Sequence, residues 1–396
     1  MRWIEIDLTG FLDDDSRRLL SAVRDRQREL PRLQRDAGLG SAQVVRFLAE
    51  QGERLFGVVR GRTDAALDLA GDEPLGLHVV TEDLDLPWTC LHDGLRFLLE
   101  RMAITASASA RSEQTAPWVR RRRDSDFAAA ALGPDAPADV ARRFRPDGCA
   151  EPEILYVAAA DAAQARSREE QAALEKALDQ VHDGVRLGRL KTPASTPSPS
   201  LLLKRAVSVQ GFHYAASTVH PAPDEAGVPA ADLGAWQDVA EVGDELEVVG
   251  VDPVDALLDT LSERAETAPL PLPAAVAVAA APAWRFDDGH LRPEDLQGLQ
   301  AVPALVVSNS YLSLSALGSR FLAAGASTFV GTQALVTAGD ARDFAADFYT
   351  ALGRGRGAAA ALREASLAAR ERRGADHPLW LSYGLLGAGD LALQYL

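Results

Sequence analysis

In "DSRRLLSAVRDRQREL" and "SAQVVRFLAEQGERLFGVV" apolar residues return every three to four positions, which places them on one side of a helix. The chain up to about residue 65 is therefore read as two amphipathic helices packed on a sheet. In "LGLHVVTEDLDLPWTCLHDGLRFLLERMAIT" the apolar residues alternate around a Pro-Trp pair, with a turn at His92-Asp93-Gly94. That pattern predicts antiparallel strands. From 106 to 150 the sequence becomes polar and rich in Ala, Pro and Gly, with "VRRRRDSDF" inside it, and is expected to form a long loop at the main internal boundary.

The rhythm changes at Glu153. "EILYVAAAD" reads as a strand, "REEQAALEKALDQVHDG" as a helix, "VRLGRLK" as a strand and "SPSLLLKRA" as a short helix. "VSVQGFHYAAS", "PALVVSNS" and "STFVGTQAL" are further strands, and the Ala-rich helices "ARDFAADFYTAL" and "AAAALREASLAARERR" lead to "LWLSYGLLG". Alternation of this kind predicts an α/β fold, a mainly parallel sheet flanked by helices. The chain divides at the boundary into an N-terminal helical and antiparallel-strand subregion, residues 1–150, and an α/β domain, residues 151–396. In parallel sheets reactive groups collect beyond the carboxyl ends of strands, where the pattern places His213 and Ser310.

Composition narrows the function. The 396 residues are 47% hydrophobic, enough for a large core. A net charge of -16 argues against nucleic acid or an anionic membrane as the direct partner, since both would repel the chain. Two cysteines, Cys90 and Cys149, give no disulfide framework and no zinc spacing, as expected of a cytoplasmic protein. The opening "MRWIEIDLTGFLDDD" lacks the cationic and apolar runs of a secretory signal, and "LPAAVAVAAAPAW" from Leu272 is too short to span a bilayer.

Five stretches, taken together, resemble one family. They are "LPWTCLHDG" (Leu86–Gly94), "DDGHLRPEDL" (Asp287–Leu296), "FLAAGASTFVGT" (Phe321–Thr332), "FYTALGRGRGAAAALREASLAAR" from Phe348 and "HPLWLSYGLLGAGD" from His377. In this order they resemble the CHAT domain, the caspase-like peptidase module related to caspases, separases and gingipains. The resemblance implies a caspase-like fold with a histidine–cysteine pair. "VQGFHY" puts His213 at the catalytic histidine, with Tyr214 where glycine usually follows; "SNS" puts Ser310 where cysteine belongs, and Thr89 replaces an acid.

The exchange at position 310 has chemical weight. A thiol with an ordinary pKa of about 8.5 is readily nudged to the thiolate, whereas a serine hydroxyl needs a base in tight contact, oriented by an acid. No "G-x-S-x-G" elbow surrounds Ser310, and the acid that would orient His213 is not legible. Beside a third reading, a ligand sensor using the old cleft, two stay open: a pseudoprotease or regulatory binding subunit in a bacterial defence or cell-death pathway, and an active endopeptidase that activates a partner by proteolysis, with a cysteine exchanged for serine at 310 or with Ser310 itself at work. Either needs a protein partner or protein substrate, with a separate activator subunit or helical-repeat partner.

Other motifs lead elsewhere. "GRGRG" from Gly353 follows a helix and not a strand, so it is a helix–helix turn and not a phosphate cradle; "RRRR" at 120–123 is a solvated run. His220 stands before Pro221, which favours a turn. "HDGVRL" and "DDGH" lack the further ligands of a metal site, and no cofactor is expected. Residues 221–282 form an acidic insertion near the sheet's carboxyl edge, suited to docking a partner or covering the cleft.

Overall fold

The computed structural model describes residues 2–9, 12–36, 40–67, 75–108, 153–157, 164–179, 181–182, 185–186, 189–191, 211–215, 218–219, 283–286, 289–296, 303–310, 312–334 and 336–391. The expected loop beyond 108, the "RRRR" run, the "SPSLLLKRA" helix, His220 and the acidic insertion at 221–282 lie outside them.

The short apolar runs are strands because both faces of the sheet are covered. Every residue of β8 (Gly211–Tyr214), β12 (Leu305–Ser308), β13 (Thr328–Thr332) and β14 (Tyr383–Gly387) is buried, which explains their continuous rather than alternating apolar character. With β1 (Arg2–Asp7), β2 (Leu75–Val80), β3 (Met102–Ser107), β4 (Glu153–Val157) and β7 (Arg189–Lys191) they form, among the described residues, one nine-stranded sheet in the order β1-β2-β3-β14-β13-β12-β8-β4-β7. Every neighbouring pair runs parallel except β13–β14. The last strand thus enters between β3 and β13 and joins two parallel halves. Gly387 ends it with φ 91, and a Cβ there would stand 2.2 Å from the Ser327 carbonyl oxygen, so only glycine fits.

The α/β expectation of a mainly parallel sheet flanked by helices describes this architecture, with one correction. The N-terminal strands are parallel: β2 and β3 pair from Leu75↔Met102 to Val80↔Ser107. The His92-Asp93-Gly94 turn exists, with Asp93 Oδ1 accepting from the N–H groups of Leu95 and Arg96, but it closes only a bridge between His92 and Phe97. It sits inside a crossover, residues 81–101, of the length that parallel pairing requires. Trp88, Leu91, Phe97 and Leu98 bury that crossover, so its apolar pattern reflects packing and not hairpin pairing. The strand β3 also runs through Ala106 and Ser107, two residues into the expected loop.

Helices α1 (Asp14–Asp36) and α2 (Ser41–Leu67) pack on each other, and α2 contacts β1. Arg24 of α1 pairs with Asp83 and, at 2.8 Å, with Asp85 of the crossover. "VRLGRLK" is divided: β6 (Val185–Arg186) pairs with β5 (Val181–His182), and only β7 joins the main sheet. A separate three-stranded sheet holds β9 (Thr218–Val219), β10 (Ala283–Phe286) and β11 (Gly289–Leu291).

Consecutive residues of a strand face opposite sides, so the neighbours of His213 and Tyr214 reveal what covers each face. His213 meets α3 (Gln164–Leu178) and α5 (Ala338–Gly353) through Glu170 and Tyr349. Tyr214 stacks on Trp284 of β10 with ring centroids 4.4 Å apart, and Trp284 meets Phe321 of α4 (Ser313–Ala323) at 4.7 Å. Helices α3 and α5 therefore lie on one side of the sheet, α4 and β10 on the other. Helix α6 (Ala358–Arg373) packs on α5 and against β3 and β14. No helix among the described residues is long and apolar enough to cross a membrane.

Candidate functional site

The parallel strands β4, β8 and β12 end at Val157, Tyr214 and Ser308 along one edge of the sheet. Register fixes which side chains can meet there. His213 lies opposite Val307 and Tyr214 opposite Ser308. His213 is fully buried, and both ring nitrogens are engaged: Nε2 stands 2.9 Å from Glu170 Oε1 and Nδ1 stands 3.2 Å from the Tyr349 hydroxyl. The ring stacks on Tyr156 at 5.5 Å.

Glu170 is the hub of this cluster. Its Oε1 also accepts from Asn309 Nδ2 at 2.6 Å, and Oε2 accepts from Tyr156 at 3.5 Å. Asn309 returns a carbonyl to the Tyr383 hydroxyl, 3.1 Å away. Burial, followed by the Glu170 charge, raises the pKa of Tyr349 well above its ordinary 10.0; Tyr383 is raised by burial, then Glu170, then Asp340. Both hydroxyls keep their protons. The Tyr349 hydroxyl shares a hydrogen bond with His213 Nδ1, and Nε2 shares one with Glu170 Oε1, so both ring nitrogens are engaged.

Ser310 faces the other way. Its Oγ is 2.7 Å from Ser308 Oγ, which accepts from Trp284 Nε1 at 3.3 Å, on the side of the sheet that Tyr214 faces. The Ser310 carbonyl accepts from Thr332 Oγ1 at 2.6 Å, and Ser313 Oγ ties the Ser308 carbonyl to the Thr332 N–H. Next in this turn, Leu312 takes the left-handed φ of 51, a conformation that costs a non-glycine residue energy and that clusters at functional turns. The structure thus brings His213 and Ser310 to adjacent strands but not to each other. On His213's side of β12 stands Asn309.

Within this cluster both nitrogens of His213 have partners. A base for a serine nucleophile needs one imidazole nitrogen on the hydroxyl and the other on its orienting acid. Here the nitrogen not on Glu170 is on Tyr349. Among the described residues no group of three or more His, Cys, Asp or Glu is arranged to hold a metal ion.

Against this geometry, comparison with known proteins adds one sequence relationship. Residues 266–388 match the family model of the CHAT domain. The CHAT match takes in Asn309, Ser310, Tyr349 and Tyr383, while His213 and Glu170 precede it. No curated protein matches the chain. Solved structures similar to it include the Saccharomyces cerevisiae separase–securin complex, 11% identical over 95% of this chain and 22% of that one, TM-score 0.36. The Arg specific cysteine proteinase gingipain R is 8% identical, covering 100% of this chain and 78% of that one, TM-score 0.44. A structure described as a protease is 10% identical, covering 99% and 78%, TM-score 0.43. The chain spans less than a quarter of the separase chain it resembles.

Sequence reasoning missed Glu170, Tyr349 and Asn309. A signal for Glu170 was present: it stands four and seven residues before Leu174 and Ala177, on the stripe that α3 buries. A carboxylate on an otherwise apolar stripe needs a buried partner.

Proposed function

We propose that this chain is a pseudoprotease with a CHAT region, a caspase-like protein that binds a protein partner or protein substrate without cleaving it. The observation that carries the reading is the closure of both His213 nitrogens, onto Glu170 and Tyr349, on the side of the sheet away from Ser310. Such a histidine has no lone pair to offer a hydroxyl. The motif resemblance adds the setting, a cytoplasmic bacterial defence or cell-death pathway with a separate activator subunit or helical-repeat partner.

The test is a mixed peptide library incubated with the purified chain, with cleavage read by mass spectrometry. No new termini are expected. Cleavage that disappears in Ser310→Ala would replace this reading with that of an active endopeptidase. Ser310→Cys adds a second measure: a thiol turned from His213 should alkylate at the same rate in a His213→Ala background.

A further inference from the structure

The N-terminal half of the sheet holds a second histidine between hydroxyls. His78 of β2 is fully buried, with Nδ1 2.6 Å from Thr105 Oγ1 and Nε2 3.2 Å from Ser107 Oγ, both on β3. The register explains the meeting. His78 lies directly opposite Thr105, and Ser107, two residues on, faces the same side. Ser107 is the last residue of β3, at the carboxyl end of a parallel pair, where catalytic groups of α/β sheets are placed. Thr105 and Ser107 are buried as well, and the residue after Ser107, Ala108, is exposed.

We infer that Ser107, His78 and Thr105 form a nucleophile site that accepts the acyl group of a small carboxylic ester. With its Nδ1 proton on Thr105 Oγ1, His78 presents the Nε2 lone pair to the Ser107 hydroxyl, the tautomer a general base requires. Ser107 Oγ attacks the ester carbonyl carbon as its proton passes to Nε2. The tetrahedral intermediate collapses with cleavage of the ester C–O bond, and the departing alkoxide takes the proton from Nε2. Water, deprotonated by the same nitrogen, then attacks the acyl-serine, releasing the carboxylic acid and restoring the Ser107 hydroxyl. His78 and Ser107 are the catalytic residues, and Thr105 is a positioning residue that fixes the imidazole. A neutral hydroxyl in place of an acid stabilises the imidazolium less, so the site suits activated esters rather than peptides.

The experiment treats the intact chain with a fluorophosphonate probe and maps the modified residue by mass spectrometry. The probe loses fluoride as Oγ bonds to phosphorus, and the serine proton leaves through His78. Modification at Ser107 is expected, slowed by about 100-fold or more in His78→Ala, the contribution of a general base. Thr105→Val should slow it and Thr105→Ser should restore it, a rescue that a purely structural threonine would not show. An unmodified Ser107 in the unsubstituted chain overturns the inference whether or not any variant folds. So does a rate unchanged by His78→Ala. Modification at Ser310 instead would overturn this inference and the pseudoprotease reading together, whereas modification at Ser107 alone leaves that reading intact.

Discussion

Replacing Glu170 asks whether the buried cluster is held by charge or by hydrogen bonds. Glu170→Gln preserves shape. The amide carbonyl has two lone pairs and can keep both bonds that Oε1 now receives, from His213 Nε2 and Asn309 Nδ2. The amide nitrogen would take the place of Oε2 and donate to the Tyr156 oxygen. Two charge-assisted bonds become neutral ones, at about 1 kcal/mol each, and relief from burying a carboxylate offsets part of that. The net loss should be about 1–2 kcal/mol. Glu170→Ala instead strips the acceptor from three groups, His213 Nε2, Asn309 Nδ2 and the more distant Tyr156 hydroxyl; the two close bonds alone, at about 1–3 kcal/mol each, give a loss of about 2–6 kcal/mol.

This contrast is the one expected of a neutral imidazole between Glu170 and Tyr349. An imidazolium there would lose its counter-ion in Glu170→Gln, and an unpaired buried charge costs about 3–5 kcal/mol. Urea unfolding followed by circular dichroism at pH 8, with unchanged slopes, gives the comparison from the midpoints. A Gln variant as damaged as the Ala variant would refute the neutral assignment and reopen His213 as a proton carrier.

Ser310→Ala should cost about 1 kcal/mol, the hydrogen bond to Ser308, whereas Trp284→Ala should cost about 3–5 kcal/mol through lost core volume; equal thermal losses would contradict this account of the turn. Burial pushes the Cys90 thiol up to about 12 from 9.0, so its folded form holds the proton more tightly than its unfolded form. Its contribution is fully present below pH 9 and is lost as pH rises from 9 to 12, by up to about 4 kcal/mol. Tyr349 and Tyr383 add losses of the same sign above pH 10, and Cys90→Ala should flatten the part of the stability curve that begins at pH 9. In Gly52→Ala a Cβ would stand 1.8 Å from the Cys90 carbonyl oxygen, forcing α2 off the crossover at a cost of about 1–3 kcal/mol in chemical denaturation; an unchanged midpoint would mean that α2 is not seated there.

The alternation of strand and helix after Glu153 was legible because buried parallel strands are continuous apolar runs, and each strand there that joins the main sheet falls on one of the expected runs. The direction of β2 and β3 was not. A glycine turn between apolar runs suits a hairpin and a buried crossover alike, and only Trp88 and Phe97 settling into the core separates them. His213 lies one residue before the end of β8, and Ser310 lies two residues beyond the end of β12. Their relation to each other was not legible, because facing depends on register and a slip of one residue turns every side chain to the other side. Glu169 and Glu170 show the same limit on a helix: adjacent in sequence and alike in chemistry, one is exposed and the other buried against His213.

Parity along the paired strands separates the two histidines of the sheet. His213 lies opposite Val307, and Ser310 is three positions beyond Val307, an odd step. Its hydroxyl therefore emerges on the Trp284 side. His78 lies opposite Thr105, and Ser107 is two positions beyond Thr105, an even step. Its hydroxyl arrives within 3.2 Å of the imidazole. In the half of the sheet that holds His213 and Ser310, the residue at an even step from Val307 is Asn309, and its amide holds the carboxylate that holds His213. An asparagine at that step can fix the histidine, but its amide nitrogen, delocalised into the carbonyl, is a poor nucleophile beside a hydroxyl or a thiol. Moving a serine to it by Asn309→Ser would meet the parity condition, yet His213 Nδ1 would still be hydrogen-bonded to the Tyr349 hydroxyl. Both substitutions, Asn309→Ser and Tyr349→Phe, would be needed before a hydroxyl could compete for that imidazole, which is why a single change at Ser310 is not expected to create a peptidase.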